Sequence, residues 1–120
     1  MKDLSNGIIN CLLVQTKFSP FSFWNYQAVC KIIGKKYPAA PLGLLTVAAL
    51  FPQHWNFRLI DENVEPLLDE HILWADLVSA GGMLPQQNSM IDLIARVHKL
   101  NRPMVIGGPD PTSQPDIYKD

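Results

Sequence analysis

Residues 35–66 read KKYPAAPLGLLTVAALFPQHWNFRLIDENVEP, and the order of elements in this stretch decides the fold. A proline-rich hinge precedes the apolar segment 42–51, which Pro52 ends because proline cannot continue a helix. The apolar run NFRLID (56–61) follows and stops abruptly on polar residues. We therefore predict a helix that packs on a sheet, followed by a strand that carries polar residues at its carboxyl end.

Four apolar runs rich in strand-forming residues recur along the chain: IINCLLVQ (8–15), NFRLID (56–61), ADLVSAGG (75–82) and RPMVIGG (102–108). Helical patterns separate them at 42–51, 65–74 and 86–100. In the last segment we expect the inward face to contain Met90, Ile91, Ile94, Ala95, Val97 and His98. Strands that alternate with helices are typical of right-handed crossovers and a parallel sheet. The sequence predicts a Rossmann-like, flavodoxin-type α/β three-layer sandwich with a mainly parallel sheet.

Composition limits the chain to one domain and a few classes of partner. Its 120 residues are 48% hydrophobic with a formal net charge of -1, and the basic residues are scattered, so we expect no nucleic-acid partner. The polar start, MKDLSNG, does not fit a signal peptide, and the apolar stretch 39–51 falls short of the roughly 20 residues of a membrane span. With only Cys11 and Cys30 available for disulfides, we expect a cytoplasmic protein.

The residues predicted to bind a ligand follow the four strands. In an open parallel sheet, ligands bind outside the carboxyl ends of the strands, where the strand order reverses. The candidates are Gln15 and Thr16; Asp61, Glu62 and Asn63; Ser79, Ala80, Gly81, Gly82 and Met83; and Gly107, Gly108 and Pro109. Glycines there would let a flat or bulky ligand reach the backbone, although tight strand-to-loop turns would also require them.

Familiar catalytic motifs are absent from the sequence. It contains no G-x-G-x-x-G after the first strand, no phosphate-binding loop, no nucleophile elbow and no C-x-x-C pair. His54, His71 and His98 are isolated from one another and from other metal ligands. We therefore assign no catalytic residue and no metal ligand to this chain.

The segment 17–38, KFSPFSFWNYQAVCKIIGKKYP, is longer than an ordinary connection between a strand and a helix. Its aromatic residues could line a pocket, cover a neighbouring domain or cap the edge of the protein's own sheet. Residues 26–36 within it could form a short helix.

Four segments, taken in order, resemble the amino-terminal cobalamin-binding domain of radical S-adenosylmethionine enzymes. They are YPAAPLGLLTVAALFP, RLIDENVEPL, WADLVSAGGM and PMVIGGPDPTSQPDIY, and the resemblance covers residues 8–118. This family includes the hopanoid methylase and the anaerobic magnesium-protoporphyrin IX monomethyl ester cyclase. The resemblance implies a role in methyl transfer or tetrapyrrole ring cyclisation, in which the strand-end loops hold cobalamin by its lower face and nucleotide tail.

Some cobalamin domains carry D-x-H-x-x-G after the first strand, where the histidine ligates cobalt, and this motif is absent here. DENVEP has Asn63 in place of the histidine and Pro66 in place of the glycine, and it follows the second strand. The resemblance therefore implies a cobalt without a protein ligand on its lower face, covered by the apolar segment 83–85.

The family continues into a fifth strand and a barrel whose C-x-x-x-C-x-x-C loop binds a [4Fe-4S] cluster and S-adenosylmethionine. This sequence ends at Asp120 without those cysteines, so we expect a fragment of a longer enzyme, with the carboxy-terminal radical S-adenosylmethionine barrel as its partner. We also expect the fourth strand to form an open apolar edge that could support self-association. A cofactor-free flavodoxin-like interaction domain is the main alternative, and a small-molecule or nucleotide sensor is another. The substrate stays open.

Overall fold

The computed structural model describes residues 7–19, 31–34 and 42–119. Its strands are β1 (Asn10–Gln15), β2 (Asn56–Asp61), β3 (Leu77–Gly81) and β4 (Met104–Gly107). Its helices are α1 (Leu42–Leu50), α2 (Asp69–Trp74), α3 (Gln87–Lys99) and the single turn α4 (Pro109–Ser113), with 3₁₀ turns at Leu84–Gln86 and Pro115–Tyr118. Each of the four predicted strands and three predicted helices is present within a few residues of its expected bounds. Most of the aromatic segment 17–38 and of the predicted helix 26–36 lies outside the described residues.

The four strands form one parallel sheet in the order β2-β1-β3-β4. One row of the register joins Leu59, Leu13, Ser79 and Val105 across all four strands. The helices lie between successive strands, as parallel connections require. The predicted Rossmann-like α/β fold is confirmed. The strand order reverses between β1 and β3, which is where a doubly wound sheet opens a crevice for a ligand.

The sheet has two apolar faces because side chains alternate along each strand. Face A is the side that carries Leu12, Val14, Val78 and Ala80, and its core includes Ile72 from α2 and buried residues of α3. Face B is the side that carries Cys11, Leu13 and Leu77, and its core includes Leu44 from α1 together with Trp55. The described residues thus form three layers, with the sheet in the middle.

The inward face of α3 differs in part from the expected one. Met90, Leu93, Ile94 and Val97 are buried, at the spacing i, i+3, i+4 and i+7. Ile91 is 39% exposed, and Ala95 and His98 are also exposed. The expected set was wrong by part of a turn: Ile91, Ala95 and His98 lie about 80–140° around the helix from Met90, whereas Leu93, which the set omitted, lies about 60° from it on the other side and is buried.

Helix α1 packs on face B through the buried Leu44 and the half-buried Ala48. The predicted apolar surface of this helix is therefore mostly exposed, and Leu42 and Leu50 are 68% and 82% exposed. Among the described residues, no helix combines the length and the hydropathy that a bilayer crossing requires.

A close backbone contact joins the ends of β3 and β4. Gly108 has φ 103°, and a Cβ there would lie 2.8 Å from the Gly82 oxygen. The Gly82 amide donates to the Gly107 carbonyl at 3.2 Å, and the Asp110 amide donates to the Gly82 carbonyl at 3.3 Å. Gly108 is thus required by the turn, and its identity needs no ligand to explain it.

We expect Gly108→Ala to lower the free energy of unfolding by about 1–3 kcal/mol, because alanine would be strained at this φ and would contact the Gly82 backbone. Gly107→Ala is the matched control, since a Cβ there meets no non-neighbouring atom within 4 Å and the φ of Gly107 is not positive. The control should leave stability unchanged or raise it by up to about 1 kcal/mol. Urea unfolding of both variants measures the difference, and equal losses would contradict this account of Gly108.

Candidate functional site at the carboxyl edge of the sheet

The carboxyl ends of the four strands form one row. Gln15 pairs with Asp61 on one side and with Gly81 on the other, and Gly81 pairs with Gly107. Because the strands are parallel, the residues that follow them emerge at the same edge. The structure therefore brings together Gln15, Thr16, Asp61, Glu62, Asn63, Gly81, Gly82, Met83, Gly107, Gly108 and Pro109.

Two predicted site residues lie further back in the sheet. Ser79 and Ala80 belong to β3 itself and are 4% and 2% exposed. Ala80 packs in the core of face A, and Ser79 stands between Leu13 and Val105 in the register. The sequence placed both after the strand, but the strand continues to Gly81, so their side chains lie behind the edge.

Asp61 and Asn63 use their side chains to hold the edge itself. Asp61 Oδ1 accepts hydrogen bonds from the amide and from Nδ2 of Asn63, both at 2.9 Å. Asn63 Nδ2 also donates to the Thr16 carbonyl at 3.2 Å, and the Phe18 amide donates to Asn63 Oδ1 at 3.0 Å. These bonds fix the segment after β1 against the turn after β2.

Gln86 also lies at this edge, in the loop 84–86 that the family resemblance implies as part of the site, although the individual site residues did not include it. It is 2% exposed, and its Nε2 donates to the Thr16 carbonyl at 2.8 Å while its Oε1 accepts from the Met83 amide at 2.9 Å. Asn63 and Gln86 thus donate to the same carbonyl from opposite sides of β1, and we call this pair the amide clamp. Met83 precedes the helical turn Leu84–Gln86, and Gln86 follows it by three residues. A glutamine at this spacing is typical of a helix cap, and this spacing was the signal in the sequence that could have pointed to Gln86.

We expect Gln86→Met to lower the free energy of unfolding by about 1–3 kcal/mol, because methionine fills similar space but leaves the part-buried Met83 amide without its acceptor. Gln53→Met is the matched control. Gln53 is exposed and bonds only to nearby carbonyls of its own helix end, so its loss should cost less than about 0.5 kcal/mol.

Urea unfolding gives both free energies, and hydrogen exchange of residues 15–19 should accelerate only in Gln86→Met. Unchanged exchange there would contradict the clamp.

Thr16, which directly follows β1, is a further polar residue in the middle of the edge. It is fully buried, and within the described structure its Oγ1 has no hydrogen-bond partner. A buried hydroxyl without a partner is costly, and such groups in native proteins call for an explanation. Its backbone carbonyl is already held by the amide clamp, whereas its hydroxyl has no partner within the described structure.

Glu62 is the partly buried carboxylate of the edge. Burial raises the pKa of Glu62, while the charges of Arg96 and Lys17 act in the opposite direction. Arg96 is itself paired with Asp69, with 2.6 Å between Arg96 Nε and Asp69 Oδ1. Glu62 therefore takes up a proton more readily than an exposed glutamate.

Asp110 anchors the segment that follows β4. It is 3% exposed and accepts hydrogen bonds from Gln87 Nε2 at 3.0 Å, from Gln114 Nε2 at 2.8 Å and from the Tyr118 hydroxyl. The bond from Tyr118, followed by those from the two glutamines, lowers the pKa of Asp110 against the opposing effect of burial. Burial and the Asp110 carboxylate raise the pKa of Tyr118 to about 12. The PDPTSQPDIY stretch is thus explained by packing against α3 and β4.

We expect the wild-type protein to lose stability between about pH 10, the usual tyrosine pKa, and about pH 12. The pKa of Tyr118 is higher in the folded protein than in the unfolded chain. The protonated hydroxyl therefore contributes its full stabilisation of the folded state below pH 10, and this stabilisation is lost as the pH rises towards the folded-state pKa of about 12. Tyr118→Phe should be less stable at neutral pH and should lack this loss. Urea unfolding from pH 7 to pH 11 compares the two proteins, and parallel curves would contradict the prediction.

The edge offers backbone groups, side-chain amides, a hydroxyl and the carboxylates of Asp61 and Glu62. Within residues 7–19, 31–34 and 42–119, no group of three or more His, Cys, Asp or Glu side chains could hold a metal ion. His71 Nδ1 accepts the Leu68 amide at 3.0 Å at the start of α2. The arrangement suits a ligand held by contacts with the strand-end backbone.

Comparisons with known proteins relate the chain to methylases. It is 36% identical over 108 residues, or 90% of its length, to an uncharacterised methyltransferase of Synechocystis. It is 38% identical over 78 residues, or 65% of its length, to the hopanoid C-2 methylase of Rhodopseudomonas palustris. No family model matches the chain, and no solved structure does.

The matched region is a small part of each relative. The chain spans 20% of the length of the Synechocystis protein and 15% of that of the hopanoid methylase. The similarity therefore relates this chain to one portion of methylase-type proteins.

Proposed function

We propose that this chain is the cobalamin-binding module of a radical S-adenosylmethionine enzyme and presents the corrin to a catalytic barrel in the same polypeptide. The reaction of the whole enzyme is methyl transfer, with tetrapyrrole ring cyclisation as the other chemistry of the resembled family. The observation that carries the proposal is the similarity to parts of two methylases in a chain whose strand ends form one glycine-containing row.

The geometry of the edge supports a large ligand held by backbone contacts. Gly81 and Gly107 pair across the β3–β4 step, and a Cβ at Gly107 would meet no non-neighbouring atom within 4 Å. This open space at a strand end would accept a macrocycle.

The residues that would hold cobalamin are Gln15, Thr16, Gly81, Gly82, Met83, Gly107, Gly108 and Pro109. When bound, cobalamin would supply a cobalt centre for methyl transfer. Asn63 and Gln86 act behind this surface, because their hydrogen bonds to the Thr16 carbonyl orient the β1 end. The apolar segment 83–85 would exclude water from the lower face, and Leu84 is 62% exposed there. The [4Fe-4S] cluster and S-adenosylmethionine belong to the proposed barrel.

A cofactor-free interaction domain is the second candidate, and two observations favour it. The side chains of Asp61 and Asn63, which the sequence offered as ligand contacts, are engaged in hydrogen bonds within the protein. The apolar helix α1 is largely exposed, as a docking surface would be. Corrin binding by the complete protein separates the two candidates.

We expect Gly107→Val to weaken cobalamin binding at least tenfold, because its side chain would occupy the open space at the end of β4. Val105→Leu is the matched control: it adds bulk to the same strand and the same face two residues earlier, away from the edge. Absorbance titration of the complete protein with cobalamin measures both affinities. Equal affinities in folded Gly107→Val and wild type would contradict the site.

A further inference from the structure

Helix α1 has an apolar outer face, which we define as Leu42, Leu45, Thr46, Ala49 and Leu50. These residues lie about 100–180° around the helix from the buried Leu44, at 3.6 residues per turn. All five are exposed. The Thr46 hydroxyl donates to the Leu42 carbonyl at 2.8 Å, so the polar group on this face is already satisfied within the helix. A helix that is apolar on all sides is normally buried.

The sheet beneath this helix is unevenly covered. Helices α2 and α3 contribute to the core of face A, whereas among the described elements α1 alone contributes a helix to the core of face B. Val105 in β4 points to face B and is 51% exposed. Parallel sheets are normally covered on both faces, and among the described residues the cover of face B over β4 is incomplete.

We infer that the outer face of α1 is the docking surface for an apolar helix from the remainder of a longer methylase-type polypeptide. The inference rests on the proposed function in that both place this domain in a longer protein. The chain spans a fifth or less of the two relatives, so most of each relative lies outside the matched region.

The size of the surface favours an occupant from the same polypeptide over a second copy. Helix α1 is about 14 Å long and about 10 Å wide. Its outer face cannot supply the roughly 800 Å² that each partner buries in a stable dimer. A partner tethered in the same chain needs less area, because the linkage supplies a high effective concentration.

The chemistry of the surface defines the occupant. Helix α1 contains no charged residue, so the docked surface must be apolar and its binding should respond little to salt. Gly43, Thr46 and Ala49 are small and exposed, and a Cβ at Gly43 would meet no non-neighbouring atom within 4 Å. These residues let the backbone of a second helix approach closely.

Hydrogen exchange of residues 42–51 tests the inference, in the 120-residue chain and in the complete protein encoded by its reading frame. We expect exchange to be at least about tenfold slower in the complete protein. Leu50→Lys should restore the fast exchange there, because it places a charge on the outer face of α1. Leu73→Lys is the matched control, since Leu73 is a 49% exposed residue near the end of α2.

Equal exchange in the two proteins, or equal effects of the two lysine variants, would overturn the inference. The 120-residue chain could instead form a dimer that the Leu50→Lys substitution dissociates. This result would assign the surface to a second copy of the chain and would also overturn the inference. Cobalamin uptake by the same samples keeps the two proposals apart. Slow hydrogen exchange of residues 42–51 without cobalamin uptake would support the docking surface and contradict cobalamin binding. Cobalamin uptake with fast hydrogen exchange would support cobalamin binding and contradict the docking surface.

Discussion

The central strand β1 is hydrogen-bonded to a parallel strand on each side, and this pairing organises the rest of the molecule. Gln15 at its end is fixed beside Asp61 of β2 and beside Gly81 of β3. Because the chain leaves β1 towards one neighbour and later returns to the other, the strand order reverses at β1. In this class of fold, ligands bind at the carboxyl ends of the strands beside such a reversal.

The edge of the sheet is held by contacts that involve the backbone. Gly108 lies against the backbone of Gly82, and Asn63 and Gln86 both bond to the carbonyl of Thr16. Side chains that could have contacted a ligand are thereby used to fix the loops. The position of Gly107 is not used in this way and stays open, because a Cβ there would meet no non-neighbouring atom within 4 Å.

This arrangement assigns different roles to the glycines. Gly108 is explained by its positive φ and its contact with Gly82, whereas Gly107 has neither constraint and faces open space. The sequence pattern Gly-Gly-Pro therefore combines one glycine that the fold requires with one that the fold leaves unexplained. Gly107, which the fold leaves unexplained, is the glycine that a bulky ligand would require.

Much of the fold was predictable because local patterns and tertiary packing agree. The apolar runs ended on polar or glycine residues, and the resulting strands lie within a few residues of their expected bounds. The prediction failed where a contact depends on residues far apart in the sequence. Gln86 bonds to Thr16 from 70 residues away, and no local signal specifies that partner. Ser79 and Ala80 were counted among the residues at the end of the run ADLVSAGG, but β3 continues through Gly81 and both lie within it.

The exposed surface of α1 could not be predicted from the sequence either. Its leucines, valine and alanines indicated a helix packed on a sheet, and Leu44 does pack there. The same composition is compatible with burial on one side or on all sides, and the exposure of Leu42 and Leu50 is visible only in the folded domain.

The stoichiometry of cobalamin in the complete protein tests the central claim most directly. The protein encoded by the whole reading frame would be supplied with cobalamin, freed of unbound corrin and measured by absorbance against protein concentration. The account predicts about one corrin per chain, bound without a protein ligand to cobalt and retained through gel filtration. A folded protein that retains no corrin would contradict the account and favour the cofactor-free interaction domain.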